Sequence, residues 1–332
     1  MHVVAAPDKF KGTATAAQVA RAIAAGVGST GGSCVECPMS DGGEGFLEVL
    51  GGANRFTTVT GPLGDPVEAG WRLDRGRAVI EMAAASGLAL VGGAEGNDPM
   101  AASTYGTGEL ILAALESGAR RVLVGVGGSA TTDGGLGALR ALHPAQRLRG
   151  VELVVACDVT TRFVDAAEVF APQKGATPRQ VKLLRRRLER LVQVYRDDYG
   201  VDVSELECAG AAGGLAGGLA AIGAELRLGF DVVAEEVGLE EMLEGADLVI
   251  TGEGFLDRES FEGKVVGGVA ELAAAAGVPV LAVVGEVFDG MGERVPAISL
   301  VERFGEHRAR HDTVACIEEA VREHLGRLAA GR

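Results

Sequence analysis

A glycine-rich segment follows the apolar run at residues 121–124, and its residue types suit the handling of an anion. It reads GVGGSATTDGG over residues 125–135, with five glycines, three hydroxyl side chains and one carboxylate. Where such a segment joins a strand to a helix, backbone N–H groups can face a phosphate. We therefore predict a phosphate-handling loop at this point.

Two other interpretations of this segment stay open. Residues 125–130 satisfy the dinucleotide pattern G-x-G-x-x-A, which recurs by chance in a chain with 51 glycines. Residues 131–135 would interrupt the helix that this pattern needs for a pyrophosphate. A plain tight turn between a strand and a helix is the second alternative. The hydroxyls and Asp133 favour a nucleotide phosphate together with a metal ion.

Four further turns gather acids, lysines and glycines in the same way. They lie at residues 8–12, 41–45, 172–175 and 252–264. Each turn alone is a weak motif, because acid-glycine turns are common on surfaces. Together they supply the cations, the Mg²⁺ ligands and the N–H dipoles that phosphoryl transfer requires.

The candidate site residues divide by the chemistry of their side chains. Lysines would neutralise phosphates or a substrate carboxylate, and acids would hold Mg²⁺ or accept a hydroxyl proton. The expected catalytic residues are Asp41, Glu44, Asp133, Lys11 and Lys264. The expected nucleotide-binding residues are Gly127, Gly128, Ser129, Thr131, Thr132, Gly134, Lys174 and Glu253. The expected metal ligands are Asp41, Asp133, Asp158 and Asp257.

Other chemistries find little support in the sequence. It contains no G-x-x-x-x-G-K-[ST] loop, no protein-kinase motif set and no G-x-S-x-G elbow. His307 and His311 are four residues apart but stand among charged residues without an evident third ligand, so we expect a solvated pair. Cys34 and Cys37 form C-x-x-C in a strand-like run, where positions three apart point to opposite faces, and we expect neither a redox nor a metal role.

Composition narrows the class of protein. A chain of 332 residues favours two domains. The net charge of −15 argues against a nucleic-acid or membrane partner. Five cysteines without framework spacing, no signal-like start and no membrane-length apolar run predict a reduced, cytoplasmic protein. We expect small-molecule partners, and a homodimer is one assembly open to this chain.

Apolar periodicity predicts the architecture. Strand patterns at residues 2–6, 33–38, 247–251, 279–284 and 297–301 alternate with helices, and residues 55–82 resemble antiparallel strands. Five strands fit a flavodoxin-like doubly wound parallel sheet, interrupted by an inserted mixed α/β domain. The expected bounds are 1–54 with 236–332 for the first domain and 55–235 for the inserted domain, with the active site in the cleft between them.

Two segments of the inserted domain need separate interpretation. Thr177 and Pro178 begin a long helix whose arginines at positions 185–187 and 190 could be a basic patch, although a solvated face is favoured. Residues 210–218, GAAGGLAGG, could be a flexible spacer or a glycine-packed helix close to a ligand, and their alanine content favours the packed element.

Taken in order, these turns resemble the type-1 glycerate kinase family. The motifs are APDKFKG at 6–12, PMSDGGEG at 38–45, TYGTGEL at 104–110, GGSATTDGG at 127–135, FAPQKGAT at 170–177, GAAGGLAGG at 210–218, DLVITGEGFLD at 247–257 and GK at 263–264. The resemblance implies a two-domain α/β kinase that transfers the γ-phosphoryl of ATP to D-glycerate with Mg²⁺, usually giving 2-phosphoglycerate.

Several positions depart from the pattern that this resemblance implies. TTRF at residues 160–163 replaces the usual Asn-Pro-Leu, and Asn97 stands where an arginine is expected. Glu259 replaces a common Gln, and Val265 a common Pro. These departures keep two alternatives open: a kinase of another small hydroxy acid, and a ligand-binding relative without turnover.

Overall fold

The computed structural model describes residues 1–288 and 290–330, which form eleven strands and fourteen α-helices within those ranges. The strands are β1 (His2–Ala5), β2 (Ser33–Glu36), β3 (Arg55–Thr60), β4 (Pro66–Asp74), β5 (Arg77–Glu81), β6 (Arg121–Gly125), β7 (Glu152–Cys157), β8 (Glu225–Leu228), β9 (Leu248–Leu256), β10 (Val280–Val287) and β11 (Ala297–Ser299). The helices are α1 (Ala16–Gly28), α2 (Phe46–Val49), α3 (Ala83–Ser86), α4 (Tyr105–Glu116), α5 (Leu136–Ala141), α6 (Ala166–Phe170), α7 (Pro178–Tyr199), α8 (Ala211–Ala221), α9 (Gly229–Val237), α10 (Leu239–Leu243), α11 (Val265–Ala276), α12 (Leu300–Phe304), α13 (Glu306–His311) and α14 (Thr313–Ala330).

The chain divides into two units. Unit 1 comprises Met1–Asp41 and Phe230–Arg332, and unit 2 comprises Gly42–Gly229. The sequence pattern predicts the boundaries at 54/55 and 235/236 instead. The shift at the first boundary arises because residues 42–54 pack with unit 2, where the Gly45 N–H donates to the Glu81 carboxylate. The predicted helix through Leu50 is a single turn, α2.

Unit 1 has a parallel five-stranded sheet with strand order β11-β10-β9-β1-β2. This is the doubly wound flavodoxin-like order, so the predicted fold class and strand count are confirmed. Thr15 caps the N-terminus of helix α1, and its side chain and that of Gln18 form a capping box. Its apolar face packs with α14 over one side of the sheet, and a smaller core next to α11 covers the other side.

Unit 2 has a mixed six-stranded sheet with strand order β3 to β8. The predicted antiparallel run is correct for β3 and β4, whereas β5 is antiparallel to β4 but parallel to β6. Periodicity missed β8, because this short edge strand carries the charged residues Glu225 and Arg227 and lacks an apolar run. The core of this unit includes Trp71, Phe163 and Tyr195, all buried.

Helix α7 follows the sequence prediction closely. Thr177 forms a capping box with Gln180, and Leu184, Leu188 and Tyr195 are buried. Three of its four arginines at positions 185–187 and 190 are exposed, and Arg185 pairs with Glu168 and Glu189. The solvated interpretation of the basic patch is therefore confirmed.

The glycine segment at residues 210–218 is a packed element and not a spacer. Every residue of α8 is buried, and the backbone of Ala212, Gly213 and Gly214 is left-handed. In the described residues, no helix combines the length and apolar character needed to cross a membrane.

Candidate active site

The loop after β6 in unit 2 contains its own anion. Thr104 donates its backbone N–H and its hydroxyl to the Asp133 carboxylate, both at 2.9 Å. The N–H groups of Gly135 and Gly137 donate to the same carboxylate at 3.0 and 3.2 Å. Asp133 therefore satisfies N–H groups at the beginnings of both α4 and α5, where an incoming phosphate could otherwise bind.

Lys174 holds the middle of this loop in place through its side chain. Its side chain is 3% exposed, and its Nζ donates to the Ser129 hydroxyl and the Thr131 carbonyl, both at 2.7 Å. Burial lowers the pKa of Lys174 to about 7, although the nearby charges of Asp133 and Asp158 oppose this shift. The predicted loop residues and Lys174 are therefore brought together in one unit.

Other predicted residues of unit 2 differ in their surroundings. Asp158 follows β7 and lies near Lys174, whereas Glu44 is exposed. The Thr132 hydroxyl is buried and, among the described residues, finds no hydrogen-bond partner. A buried hydroxyl without a partner in a glycine-rich loop is available to a ligand.

A second polar group lies in unit 1, at the carboxyl ends of β1 and β9. The order of the strands reverses between these two neighbours, which is where open α/β sheets bind ligands. The Asp8 N–H donates to the Gly252 carbonyl at 2.8 Å, which holds the turn after β1 against β9. Lys9 Nζ lies 3.4 Å from Asp8 and 3.6 Å from Asp41. Burial raises the pKa of Asp8 to about 6; Lys9 opposes this shift and Asp41 adds to it.

Glu253 belongs to this group, and one oxygen of its carboxyl lacks a hydrogen bond among the described residues. Its Oε1 is buried and has no hydrogen-bond partner within the part of the chain that the structure describes. Burial raises the pKa of Glu253 to about 7, and Asp8 and Asp257 add to the shift. A hydrogen bond from Ser260 and the charge of Lys264 oppose it. Glu253 can therefore exchange a proton near neutral pH.

Lys264 completes the group in unit 1. Its Nζ lies 3.1 Å from Glu259, and its pKa is raised: burial lowers it, but Glu259, Asp41 and Glu253 outweigh the burial. Asp257 accepts the Ser260 N–H at 3.2 Å and so stabilises the turn before α11. Lys11 is exposed and lines a separate pocket with Phe255 and Arg310.

Comparisons with known proteins show the family to which this chain belongs. The sequence model of the glycerate kinase family matches residues 3–145 and 143–329. The chain belongs to the glycerate kinase family. It is 40% identical to glycerate 2-kinase from Escherichia coli K12, over 88% of this chain and 87% of the relative. It is 38% identical to glycerate kinase from Bacillus subtilis 168, over 94% of each. The crystal structure of a protein called glycerate kinase 2 from Salmonella typhimurium LT2 matches with a TM-score of 0.84 and 34% identity, covering 100% of this chain and 99% of that one.

Two departures of this glycerate kinase family member have clear local roles. Asn97 donates from Nδ2 to the carbonyls of Ala130 and Lys174, at 3.0 and 2.9 Å, so it ties the loop to the turn of Lys174. Glu259 is the ion-pair partner of Lys264. Phe163, in the altered segment at 160–163, is buried against Tyr195 and belongs to the core of unit 2.

Sequence reasoning missed Asp8 and Lys9 as site residues. Both belong to the APDKFKG motif, from which Lys11 alone was singled out. The available signal was position: Asp8 and Lys9 come within four residues after a buried strand, at the edge where such sheets bind ligands. Only the pairing of β1 with β9 brings them to Glu253.

We predict that Asp133→Asn lowers the thermal stability of unit 2. An amide NH₂ would face N–H donors that the carboxylate now accepts, costing about 2–3 kcal/mol and lowering Tm by about 5–10 °C. Thermal unfolding followed by circular dichroism measures this, with Asp197→Asn, an exposed change on α7, as the control. An unchanged Tm with a raised Mg²⁺ requirement would instead assign Asp133 to metal binding.

Proposed function

We propose that this protein is an ATP-dependent kinase of D-glycerate that forms 2-phosphoglycerate and ADP. Membership of the glycerate kinase family supports the reaction class. The observation that carries the proposal is the Glu253 carboxyl in the C-terminal half of β9, which has a pKa of about 7 and a buried oxygen without a hydrogen-bond partner among the described residues. A carboxylate of this kind is suited to accept the proton of a substrate hydroxyl as that oxygen attacks phosphorus.

In the proposed mechanism Glu253 is the general base. Its Oε1 accepts the hydroxyl proton. This protonation removes the negative charge of the carboxylate, which burial already disfavours. Lys264, which the nearby carboxylates keep protonated, offsets negative charge on the transferred group or the substrate carboxylate. This moves the role of base from Asp41 and Glu44 to Glu253.

The loop at residues 125–135 would bind phosphate through polar groups that do not already make hydrogen bonds within the described residues. The Thr132 hydroxyl is such a group, whereas the Ser129 hydroxyl is held by Lys174. Asp133 is a positioning residue in this proposal, since its carboxylate already accepts from Thr104, Gly135 and Gly137. Lys174 supports the loop in the same way.

Mg²⁺ is part of the proposed reaction, and the acids of unit 1 fit it. Asp8 and Asp41 offer carboxylate oxygens, which are the ligands that Mg²⁺ prefers. The described residues contain no group of three or more acids, histidines or cysteines arranged around a metal position. Mg²⁺ commonly uses one or two carboxylates with waters and substrate phosphates, so a site of this kind needs no third acid. The ion would neutralise charge on the phosphates of ATP.

A coupled assay of ADP release with Mg-ATP and D-glycerate tests the proposal. We expect turnover that depends on both substrates, and phosphorus NMR should place the new phosphate on the C2 oxygen. A panel of other small hydroxy acids serves as the control for substrate choice. Turnover with another hydroxy acid but not with D-glycerate would contradict the proposed substrate while leaving the reaction class intact.

The proposed base predicts a pH dependence. Glu253 acts only when deprotonated, so kcat/KM for D-glycerate should fall below pH 7, by about tenfold per pH unit. Saturating Mg-ATP keeps the titration of the nucleotide out of the profile. A profile that is flat between pH 5.5 and pH 8 would remove Glu253 from the role of base.

A further inference from the structure

Strand β3 forms one free edge of the sheet in unit 2. It stands at the end of the strand order, and among the described strands it pairs with β4 alone. With six residues it is the longest of the edge strands, since β2 and β8 have four residues and β11 has three. Its sequence, RFTTVT, has a single charge, at the first position. Proteins usually protect sheet edges with charges, prolines or short strands, so β3 is open to pairing with another strand.

The register of β3 and β4 decides which backbone groups point away from the sheet. The Gly61 N–H donates to the Asp65 carbonyl at 2.7 Å and closes the hairpin between the two strands. Hydrogen-bonded and non-hydrogen-bonded pairs alternate along antiparallel strands, so the odd-numbered residues of β3 bond to β4. The N–H and C=O groups of Phe56 and Thr58 therefore point outward. The described residues provide no acceptor outside the sheet for these two N–H groups.

Helix α4 closes the far end of this edge. The Glu109 carboxylate accepts the N–H of Thr60, the next outward group along β3, at 2.7 Å. Gly106 lies against the Thr60 carbonyl, since a Cβ on Gly106 would be 1.9 Å from that oxygen. The open part of the edge is therefore residues 55–59.

Phe56 lies on this open part, on the solvent face of the sheet. Its side chain is 66% exposed, the highest value among the large apolar side chains of the described residues. Its ring covers Gly70 of β4, where a Cβ would be 3.2 Å from Cε1. Thr58 is exposed on the same face, whereas Val59 is buried on the opposite face. An aromatic and a β-branched side chain form a favourable pair when they lie opposite each other on neighbouring strands.

We propose that two copies of this chain associate by antiparallel pairing of their β3 strands, about a twofold axis that passes between the two Thr57 residues. In this register Phe56 of each copy stands opposite Thr58 of the partner subunit, and the two residues exchange backbone hydrogen bonds. Every open N–H group of residues 55–59 then finds a carbonyl. The edge is therefore complementary to itself, and the product is one sheet that continues through both copies.

Charge complementarity favours a second copy as the occupant of this edge. Arg55 is exposed, and its guanidinium donates only to the Asn54 carbonyl within the described residues. In the proposed register Arg55 of the partner subunit stands opposite Val59, on the face of the sheet that packs against α4. It therefore lies next to Glu109, whose carboxylate closes the edge. The twofold axis makes this contact between a cation and a carboxylate twice, whereas a strand of another protein would match it only by chance.

Sedimentation equilibrium and hydrogen–deuterium exchange of the full-length chain test the proposal. At micromolar concentrations we expect twice the chain mass of 33.9 kDa. The amides of Phe56 and Thr58 should exchange about tenfold or more slowly in the dimer than after dilution to the monomer. Peptides of β8, at the other edge of the same sheet, should exchange equally at both concentrations. A chain that stays monomeric, or a dimer in which exchange at residues 55–60 does not depend on concentration, would overturn the proposal.

Variants at the edge complete the test. Thr58→Pro removes an outward N–H, which an edge strand tolerates, so the subunit should keep its fold while its mass falls to that of one chain. The matched control Thr58→Val keeps the N–H and the β-branched shape and should stay dimeric. Arg55→Glu should weaken association several-fold, because it brings two carboxylates together at Glu109.

A folded Thr58→Pro protein that remains dimeric would overturn the proposal. If this variant fails to fold, the exchange of the wild-type chain decides the question alone. Pairing of the β3 edge with a strand of a different protein, while the chain itself stays monomeric, would also overturn it. None of these measurements uses turnover, so their outcome is independent of the proposed function.

Discussion

Replacing Glu253 with Gln is expected to lower kcat for D-glycerate by about 10²- to 10⁴-fold, the usual contribution of a positioned general base. Gln keeps the shape of the side chain but cannot accept the hydroxyl proton. The free energy of unfolding should change little, because among the described residues Oε1 has no hydrogen-bond partner to lose and burial already disfavours the charge. Steady-state kinetics with Mg-ATP, together with thermal unfolding of the same sample, measures both effects.

The matched control is Glu271→Gln, which removes a carboxylate from an exposed position of α11 in the same unit. Its kcat and Tm should equal those of the wild type. The small residual activity of Glu253→Gln should also lose the dependence on pH near 7, because the titrating group is gone. Glu253→Gln with more than half of the wild-type kcat would contradict the assignment of the base.

The fold was largely predictable because apolar runs and turn residues are local signals. The buried runs of β1, β9 and β10 and the capped starts of α1 and α7 are readable from neighbouring residues alone. The edge strand β8 could not be predicted in this way, because it has only four residues and two of them are charged. The unit boundary at 41/42 was also missed, because it depends on which sheet residues 42–54 pack against.

The residue types of the candidate site could be recognised in the sequence, but the contacts of each residue could not. Asp133 could be recognised as an acid in a glycine-rich loop, yet its contacts with Thr104 span 29 positions and follow from the packing of α4 beside α5. The pairing of Asp8 with the strand of Glu253 joins residues about 245 positions apart. Spacing in the sequence cannot rank acids that acquire their surroundings only through such pairings.

Gly213→Ala is expected to have the largest effect on stability. The residue has a φ of +66°, and a Cβ there would lie 2.0 Å from the Thr131 carbonyl oxygen and 2.7 Å from the Thr132 Cα. Both neighbours are backbone atoms of the loop after β6, so no side chain can move aside. We expect a cost of about 4 kcal/mol or more, near the upper end for single changes, and a fall in Tm of about 10 °C or more.

The comparison with Gly200→Ala separates the clash from the backbone conformation. Gly200 follows α7 with a φ of +73°, and a Cβ there would meet no atom of the described residues within 4 Å. That change should cost only about 1 kcal/mol, the ordinary penalty of a left-handed alanine. Equal losses of Tm in the two variants would mean that the loop moves away easily. A much larger loss of Tm for Gly213→Ala would mean that the loop after β6 is held in direct backbone contact with the left-handed turn of α8. Only a residue without a side chain allows that contact.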